Sequence, residues 1–271
     1  MFYWLFYQIV FQGYATEYPV LTPFRLFGFV TFRTALSSLT ALFLCVIVGP
    51  WLIRRLREFQ IGQHIREEGP KSHQAKAGTP TMGGVLIIIS IVVPTLFWSD
   101  LRNPYVWIAL FALLSFGAIG FYDDYTKVRK MQNLGLTAKR KFALQVFNSI
   151  IIGMILLFLR SRNLYDTEIN VPFFKQFRPD LLIEPLLENP LTFPIAFIFF
   201  FGFLVLVIAG ASNAVNLTDG LDGLAIGLMI IAASAITMLA YVSGHAQFAA
   251  YLEILRLPDS AELTIFCASM T

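Results

Sequence analysis

Six long apolar segments constrain this chain more than any other feature of its sequence. A helix that crosses a hydrocarbon core about 30 Å thick needs about 20 mostly apolar residues. Segments of this kind lie at 28–53, 82–98, 104–121, 143–160, 193–214 and 224–243. None alternates strictly between apolar and polar residues, which argues against barrel strands. Charged residues make up only 14% of the chain, whereas an average globular chain has about 25%. The sequence therefore predicts an all-α, polytopic helical bundle in a membrane.

The distribution of Lys and Arg predicts the orientation of this bundle. Cytoplasmic loops of membrane proteins are enriched in both residues. Twelve of the 20 basic residues follow the first or the third segment: Arg54, Arg55, Arg57, Arg66, Lys71, Lys76, Lys127, Arg129, Lys130, Lys139, Arg140 and Lys141. Both loops lie on one side if the segments alternate across the membrane. We therefore expect the N-terminus outside and these two loops in the cytoplasm.

Two further pieces complete the predicted topology. The external connection contains TEINVPFFK, whose alternation predicts a small β-hairpin near 166–176. A seventh apolar segment starts near Leu263, but the nine residues to Thr271 rise only about 14 Å as a helix. We therefore expect six full transmembrane helices and part of a seventh. They would form a single integral-membrane domain over 1–271 that is truncated at its C-terminus.

Asp123 and Asp124 lie at the cytoplasmic mouth of the third segment. Adjacent carboxylates at a membrane face repel each other and cost free energy unless a cation or a metal compensates. On a helix, Lys127 follows Asp123 by four residues and Asp124 by three, close enough to pair with one of them. A solvated helix end whose acidic residues pair with Lys127 explains the same residues. The aspartate pair alone therefore does not show whether its role is structural or catalytic.

A second polar cluster follows the fifth segment. Its members recur every three residues, which on a helix forms a slowly spiralling stripe; they are Asn213, Asn216, Asp219 and Asp222. Such a stripe is expected to line a cavity rather than face lipid. An ordinary helix-terminating turn is the weaker interpretation, although Asn, Asp and Gly are turn residues.

The sequence argues against several other kinds of functional site. Cys45 and Cys267 lie in apolar runs, so neither a disulfide framework nor a clustered metal site is predicted. A net charge of +3 is too small to indicate a nucleic-acid partner. KAGTPTMGG at 76–84 lacks the GK[ST] ending of a Walker A loop. By itself it predicts a tight turn before the second segment, with phosphate contact as the lesser alternative.

Taken together, these motifs resemble one enzyme family. GTPTMGG at 78–84, DDYTK at 123–127 and NAVNLTDGLDGLA at 213–225 are similar to the bacterial phospho-N-acetylmuramoyl-pentapeptide transferases. That family is a branch of the polyprenyl-phosphate sugar-1-phosphate transferases. VPFFK at 171–175 and TFR at 31–33 also resemble it, so the likeness runs over essentially the whole chain in matching order.

The resemblance implies a complete function. An enzyme of this family transfers phospho-N-acetylmuramoyl-pentapeptide from UDP-MurNAc-pentapeptide to undecaprenyl phosphate and releases UMP. It requires Mg²⁺, and its product is the first lipid intermediate of peptidoglycan synthesis. The family has a ten-helix fold, is often a homodimer, and lies in the bacterial inner membrane with its active site facing the cytoplasm.

The resemblance also implies roles for single residues. Asp123 and Asp124 match the catalytic aspartate pair, either as a base on the lipid phosphate or as support for the metal; the sequence leaves both roles open. The positions that match substrate-binding residues are Lys76, Thr81, Lys127, Lys139, Asn216, Asp219, Gly220, Leu221 and Asp222. The family's own metal-binding aspartate would lie beyond Thr271.

Three alternatives remain at the level of sequence. A sister N-acetylglucosamine-1-phosphate transferase would share the aspartate pair and magnesium, although GTPTMGG favours the muramoyl branch. An ion-coupled transporter would place carboxylates near the bilayer midplane, whereas the acidic residues here sit at helix ends. A non-catalytic remnant is compatible with the expected truncation.

Overall fold

The computed structural model of the chain describes residues 1–59, 82–130, 135–171, 174, 177–187, 191–218 and 223–271. Seven helices organise this part of the chain: α1 (Val30–Phe59), α2 (Gly84–Trp98), α3 (Pro104–Lys130), α4 (Ala138–Ser161), α5 (Phe193–Thr218), α6 (Leu224–Gly244) and α7 (Leu263–Ala268). Shorter helical pieces are Tyr3–Phe11, Gln12–Tyr14, Pro19–Gly28, Glu184–Leu187, Ala246–Tyr251 and Pro258–Glu262.

Five of these helices are long and apolar enough to cross a membrane, namely α1, α3, α4, α5 and α6. Each coincides with a predicted apolar segment, so five of the six predicted segments are confirmed as helices of spanning length. The segment at 82–98 also contains a helix, but α2 has only 15 residues and rises about 22 Å. The all-α architecture is confirmed for the described residues.

The two helices that matter most for the site begin at recognisable caps. The Asn103 side chain accepts a hydrogen bond from the Tyr105 backbone N–H at 2.8 Å, and Pro104 opens α3. The Thr137 side chain accepts a hydrogen bond from the Arg140 backbone N–H at the start of α4. Side-chain acceptors at the N-cap and Pro at the first helical position are standard helix starts.

Sequence neighbours are also neighbours in space. α1 packs on α2, α2 on α3, α3 on α4 and α4 on α5, whereas α6 touches α5 only lightly. α7 returns the chain to the beginning by packing against α6 and α1. Two hydroxyl groups of α1 donate hydrogen bonds to the backbone of α7. Ser37 donates to the Ile265 carbonyl at 3.0 Å, and Ser38 donates to the Ala268 carbonyl at 2.7 Å.

A buried ion pair joins the two ends of this circuit. Arg33 in α1 is 2% exposed, and its guanidinium donates to both carboxylate oxygens of Glu262, at 2.8 and 2.6 Å. The same guanidinium donates to the Trp98 carbonyl at 3.0 Å and lies 4.2 Å from the ring centroid of Tyr3. The start of α1, the end of α2 and the approach to α7 therefore share one charge cluster.

The predicted hairpin at 166–176 is not confirmed. In the described ranges, 167–169 and 179–181 form a single antiparallel bridge, between Glu168 and Asp180, and no strand. Arg160 at the end of α4 pairs with Asp180 at 3.1 Å, and Thr167 also donates to Asp180. Side-chain contacts thus hold this connection together. The segment that pairs with 167–169 is 179–181, which lies beyond the predicted range of 166–176. Residues 172, 173, 175 and 176 lie outside the described part of the chain.

Candidate active site

The aspartate pair lies on α3 itself, because the helix continues past the apolar segment to Lys130. Lys127 Nζ is 2.6 Å from Asp123 Oδ2 and 3.0 Å from Asp124 Oδ1. The helical spacing predicted that Lys127 pairs with one of the two carboxylates. In the structure its ammonium group bridges both. The repulsion between adjacent carboxylates is therefore partly compensated within one helical turn.

Asp123 is also held by the loop that follows α3. The Leu136 backbone N–H donates to Asp123 Oδ1 at 2.6 Å. A Cβ at Gly135 would run into the Asp123 carboxylate and lie 2.8 Å from Lys127 Cε, so the close approach requires glycine. Both oxygens of Asp123 are thus engaged, and its side chain is only 13% exposed.

Asp124 differs from Asp123 in having one carboxylate oxygen without a hydrogen-bond donor among the described residues. Its side chain is 34% exposed, and Lys127 binds only Oδ1. Among the described residues, no group donates to Asp124 Oδ2. Asp123 is therefore the anchored member of the pair, and Asp124 is the member with an oxygen available to a ligand.

The first turns of α4 connect this region to α5. Lys141 Nζ donates to Asn216 Oδ1 at 3.3 Å. The positive charge of Lys141 also acts on Asp123, so the lysine lies within electrostatic reach of the aspartate pair. Lys139, the other lysine predicted here, is exposed on the first turn. The start of α4 therefore links the end of α3 to the polar stripe of α5.

A second polar contact lies one turn later on α4 and one turn earlier on α5. Gln145 is 2% exposed; its Oε1 accepts from Asn213 Nδ2 at 2.8 Å, and its Nε2 donates to Ser212 Oγ at 3.1 Å. Asn213 Nδ2 also donates to the Ala209 carbonyl at 2.7 Å. The stripe predicted from Asn213 and Asn216 thus turns toward α4.

The structure describes only part of the predicted site. Described are Asp123, Asp124, Lys127, Lys139 and Asn216; Lys76, Thr81, Asp219, Gly220, Leu221 and Asp222 lie outside the described residues. Immediately after the gap, Gly223 has φ +81° and precedes α6. This left-handed conformation suits glycine.

Two residues of this region were not singled out from the sequence. Lys141 was counted only as part of the basic run, and Gln145 was hidden inside an apolar segment. A buried amide in an apolar segment costs free energy unless it is hydrogen-bonded. The presence of Gln145 in such a segment was therefore the sequence feature that could have indicated a polar contact here. Its spacing of four residues from Lys141 places both on one face of α4.

The donor set is suited to magnesium held jointly with a substrate. Within the described ranges, no three His, Cys, Asp or Glu side chains come together as a protein cage for a metal. Mg²⁺ is usually bound through one or two carboxylates plus substrate phosphates, without such a cage. The open oxygen of Asp124, beside Asp123, fits this kind of site.

Comparison with known proteins gives concordant results. Residues 106–260 match the model of glycosyl transferase family 4, and residues 76–88 match phospho-N-acetylmuramoyl-pentapeptide-transferase signature 1. The second match includes Lys76 and Thr81. Sequence similarity therefore covers both the described site and residues 76–83, which precede α2 in the chain.

Similar proteins are found along the whole chain. The phospho-N-acetylmuramoyl-pentapeptide-transferase of Solibacter usitatus is 59% identical over 264 residues, which are 97% of this chain and 70% of the relative. Proteins of the same name from Koribacter versatilis and Acidobacterium capsulatum are each 57% identical over 270 residues, covering 100% of this chain and 70% of each relative.

Proposed function

Since this chain belongs to the phospho-N-acetylmuramoyl-pentapeptide-transferase family, we propose that its active site lies where the start of α4 joins the ends of α3 and α5. The chain is a phospho-sugar transferase and a multi-pass membrane protein. Enzymes of this type use a nucleotide-linked sugar peptide and a lipid carrier. The donor is UDP-MurNAc-pentapeptide and the acceptor is undecaprenyl phosphate.

The reaction exchanges one phosphorus–oxygen bond for another. An oxygen of the lipid phosphate forms a bond to the phosphorus attached to the sugar, and the bond from that phosphorus to the UMP portion breaks. Such transfers need little covalent work from the protein, which mainly aligns the groups and compensates their charge. Lys127, Lys139 and Lys141 supply positive charge at this end of the bundle.

The observation that carries this proposal is the unequal state of the two aspartates. Asp123 is held by Lys127 and by Leu136, so it fixes the geometry of the helix end. Asp124 keeps Oδ2 open, and it is the member that faces the reacting phosphates. Asp124, with Asp123 beside it, would hold a magnesium ion together with the substrate, and that ion would supply charge neutralisation for those phosphates.

The remaining features of the proposal concern the membrane. We propose that the shorter α2 also crosses the membrane, which gives six spans and part of a seventh. With the N-terminus outside, the ends of α3 and α5 would then lie on the cytoplasmic side of the bacterial inner membrane. The concentration of Lys and Arg in the loops after the first and third segments supports this orientation. UDP-sugars are cytosolic and the lipid phosphate lies at headgroup depth, so the two substrates meet there. We also propose a single domain and a homodimer, both on the family resemblance.

The alternatives drawn from the sequence are less well supported. Relatives at 57–59% identity carry the muramoyl transferase name, which disfavours a sister N-acetylglucosamine-1-phosphate transferase. The same relatives disfavour an ion-coupled transporter and a non-catalytic remnant.

The test is a UMP-release assay on the purified 271-residue chain in lipid nanodiscs. Undecaprenyl phosphate is the acceptor, UDP-MurNAc-pentapeptide is compared with UDP-GlcNAc as the donor, and the Solibacter usitatus relative is the positive control. We expect UMP release only with the muramoyl donor, loss of that release with EDTA, and loss in Asp124→Asn but not in Glu168→Gln, an exposed carboxylate far from the site. The proposal fails if the positive control is active while the chain releases no UMP, or if it releases UMP equally from UDP-GlcNAc.

A further inference from the structure

We propose that Lys141 and Gln145 of α4 are positioning residues for the transfer reaction. Through hydrogen bonds to Asn216 and Asn213, they hold the polar stripe of α5 in register with the helix end that carries the aspartate pair. The inference rests on the proposed function and adds two residues to it. We call Lys141, Gln145, Ser212, Asn213 and Asn216 the α4–α5 ladder.

The start of α4 is the physical link between the two polar clusters. Leu136, at the entry to α4, donates its N–H to Asp123, and Lys141 donates to Asn216. Leu136 lies two positions before the start of α4, and Lys141 lies in its first turns, so the two donors are five positions apart in the chain. A shift of this segment would therefore move both clusters, so the position of one cluster depends on the position of the other.

The ladder attaches the two helices at two levels. Lys141 and Gln145 are one turn apart on α4, as are Asn213 and Asn216 on α5. Two contacts separated along the axis define both the axial register and the rotation of α5 relative to α4. A single contact would leave the rotation free, and apolar side chains alone would tolerate several registers.

The burial of Gln145 shows how closely the second level is specified. The side chain is 2% exposed, and both of its amide atoms have partners, in Asn213 and Ser212. A buried polar group without partners is costly, so rotation of α5 away from Gln145 is disfavoured. The same contact keeps Asn216, three residues further along, directed at Lys141 and toward the aspartate end of the bundle.

The key variant is Lys141→Met, because it removes the hydrogen bond at a half-buried position and is expected to leave the fold intact. Asn216 is one of the positions that match the family's substrate-binding residues. We therefore expect KM for UDP-MurNAc-pentapeptide to rise about 10-fold, the size of one charge-assisted hydrogen bond, with little change in kcat. Lys141→Arg keeps a donor and should restore most of the loss. Arg140→Met removes a charge from an exposed neighbour and serves as the matched control.

A double-mutant cycle separates positioning from direct substrate contact. If Lys141 acts through Asn216, adding Lys141→Met to Asn216→Leu changes KM by less than about 2-fold. Gln145→Met should raise KM in the same direction as Lys141→Met. Thermal unfolding of each variant reports any general loss of structure.

The outcomes are distinct. Absence of UMP release by the unmodified chain overturns the proposed function, and this inference with it. Normal release by the unmodified chain, with Lys141→Met equal to Arg140→Met, overturns only the inference. Fully multiplicative effects of Lys141→Met and Asn216→Leu also overturn it, as does a KM change that merely follows a fall in unfolding temperature.

Discussion

Arg33 and Glu262 form a two-pronged ion pair although 229 positions separate them in the chain. Their side chains are 2% and 14% exposed, so the pair is shielded from water. The backbone N–H of Asp100 also donates to Glu262, at 2.8 Å. The pair joins α1, the α2–α3 connection and the approach to α7 at the end of the bundle opposite the aspartate pair.

Replacing one member of this pair is expected to destabilise the bundle strongly. Arg33→Met leaves the Glu262 carboxylate buried without its cation, and such a loss typically costs about 3–5 kcal/mol. Chemical unfolding in detergent micelles measures the free energy of unfolding. Arg25→Met, at an exposed arginine, is the control, and the double variant Arg33→Met, Glu262→Met should recover part of the loss. Equal stability of Arg33→Met and Arg25→Met would contradict the prediction.

Gly135→Ala is expected to lower activity by displacing Asp123. The added methyl group would overlap the Asp123 carboxylate and crowd Lys127. A shift of about 1 Å at a reacting group can reduce the rate about 100-fold, so we expect a fall in kcat of about 10- to 100-fold in the UMP-release assay.

The control for Gly135→Ala is Gly120→Ala, also near the end of α3. A Cβ there meets no atom within 4 Å, so the rate should stay normal. Loss of activity in both variants, or in neither, would show that the contact between Gly135 and Asp123 does not control the site.

The two aspartates are expected to respond differently to conversion to asparagine. Both Asp123→Asn and Asp124→Asn should abolish UMP release. Only Asp123→Asn should also lower the free energy of unfolding, by about 1–3 kcal/mol, because Asp123 takes part in two charge-assisted hydrogen bonds. Asp124 is more exposed, and its pair with Lys127 contributes about 1 kcal/mol or less. Equal destabilisation by both substitutions would refute the division into an anchored and an open carboxylate.

Lys127→Met is expected to change the dependence on magnesium. The substitution leaves Asp123 and Asp124 adjacent and without their shared cation, so their attraction for a divalent cation rises by Coulomb's law. We expect a lower kcat together with a lower magnesium concentration for half-maximal UMP release. Arg129→Met, an exposed change on the same turn, should leave both quantities unaltered. A magnesium dependence identical to that of the unmodified chain would argue against metal binding at this pair.

Much of this architecture could be predicted from local patterns. The apolar segments correspond to five helices of spanning length and to the shorter α2. The pairing of Lys127 with the aspartates followed from helical spacing, and α7 begins at Leu263, where the seventh apolar segment was predicted to start. These features depend on residues within one or two turns of each other. Their geometry is therefore set by the helix itself, whatever the rest of the chain does.

Other features were decided only by tertiary packing. The contact between Lys141 and Asn216 joins residues 75 positions apart, and the pair of Arg33 with Glu262 spans 229. No periodicity identifies such partners. A polar residue in an apolar helix indicates that a hydrogen-bond partner is needed, but not which residue provides it. The unequal roles of Asp123 and Asp124 arise in the same way. Both aspartates lie within one turn of Lys127, so helical spacing allows either to pair with it. Only the approach of Leu136 after α3 makes one carboxylate an anchor and leaves the other open.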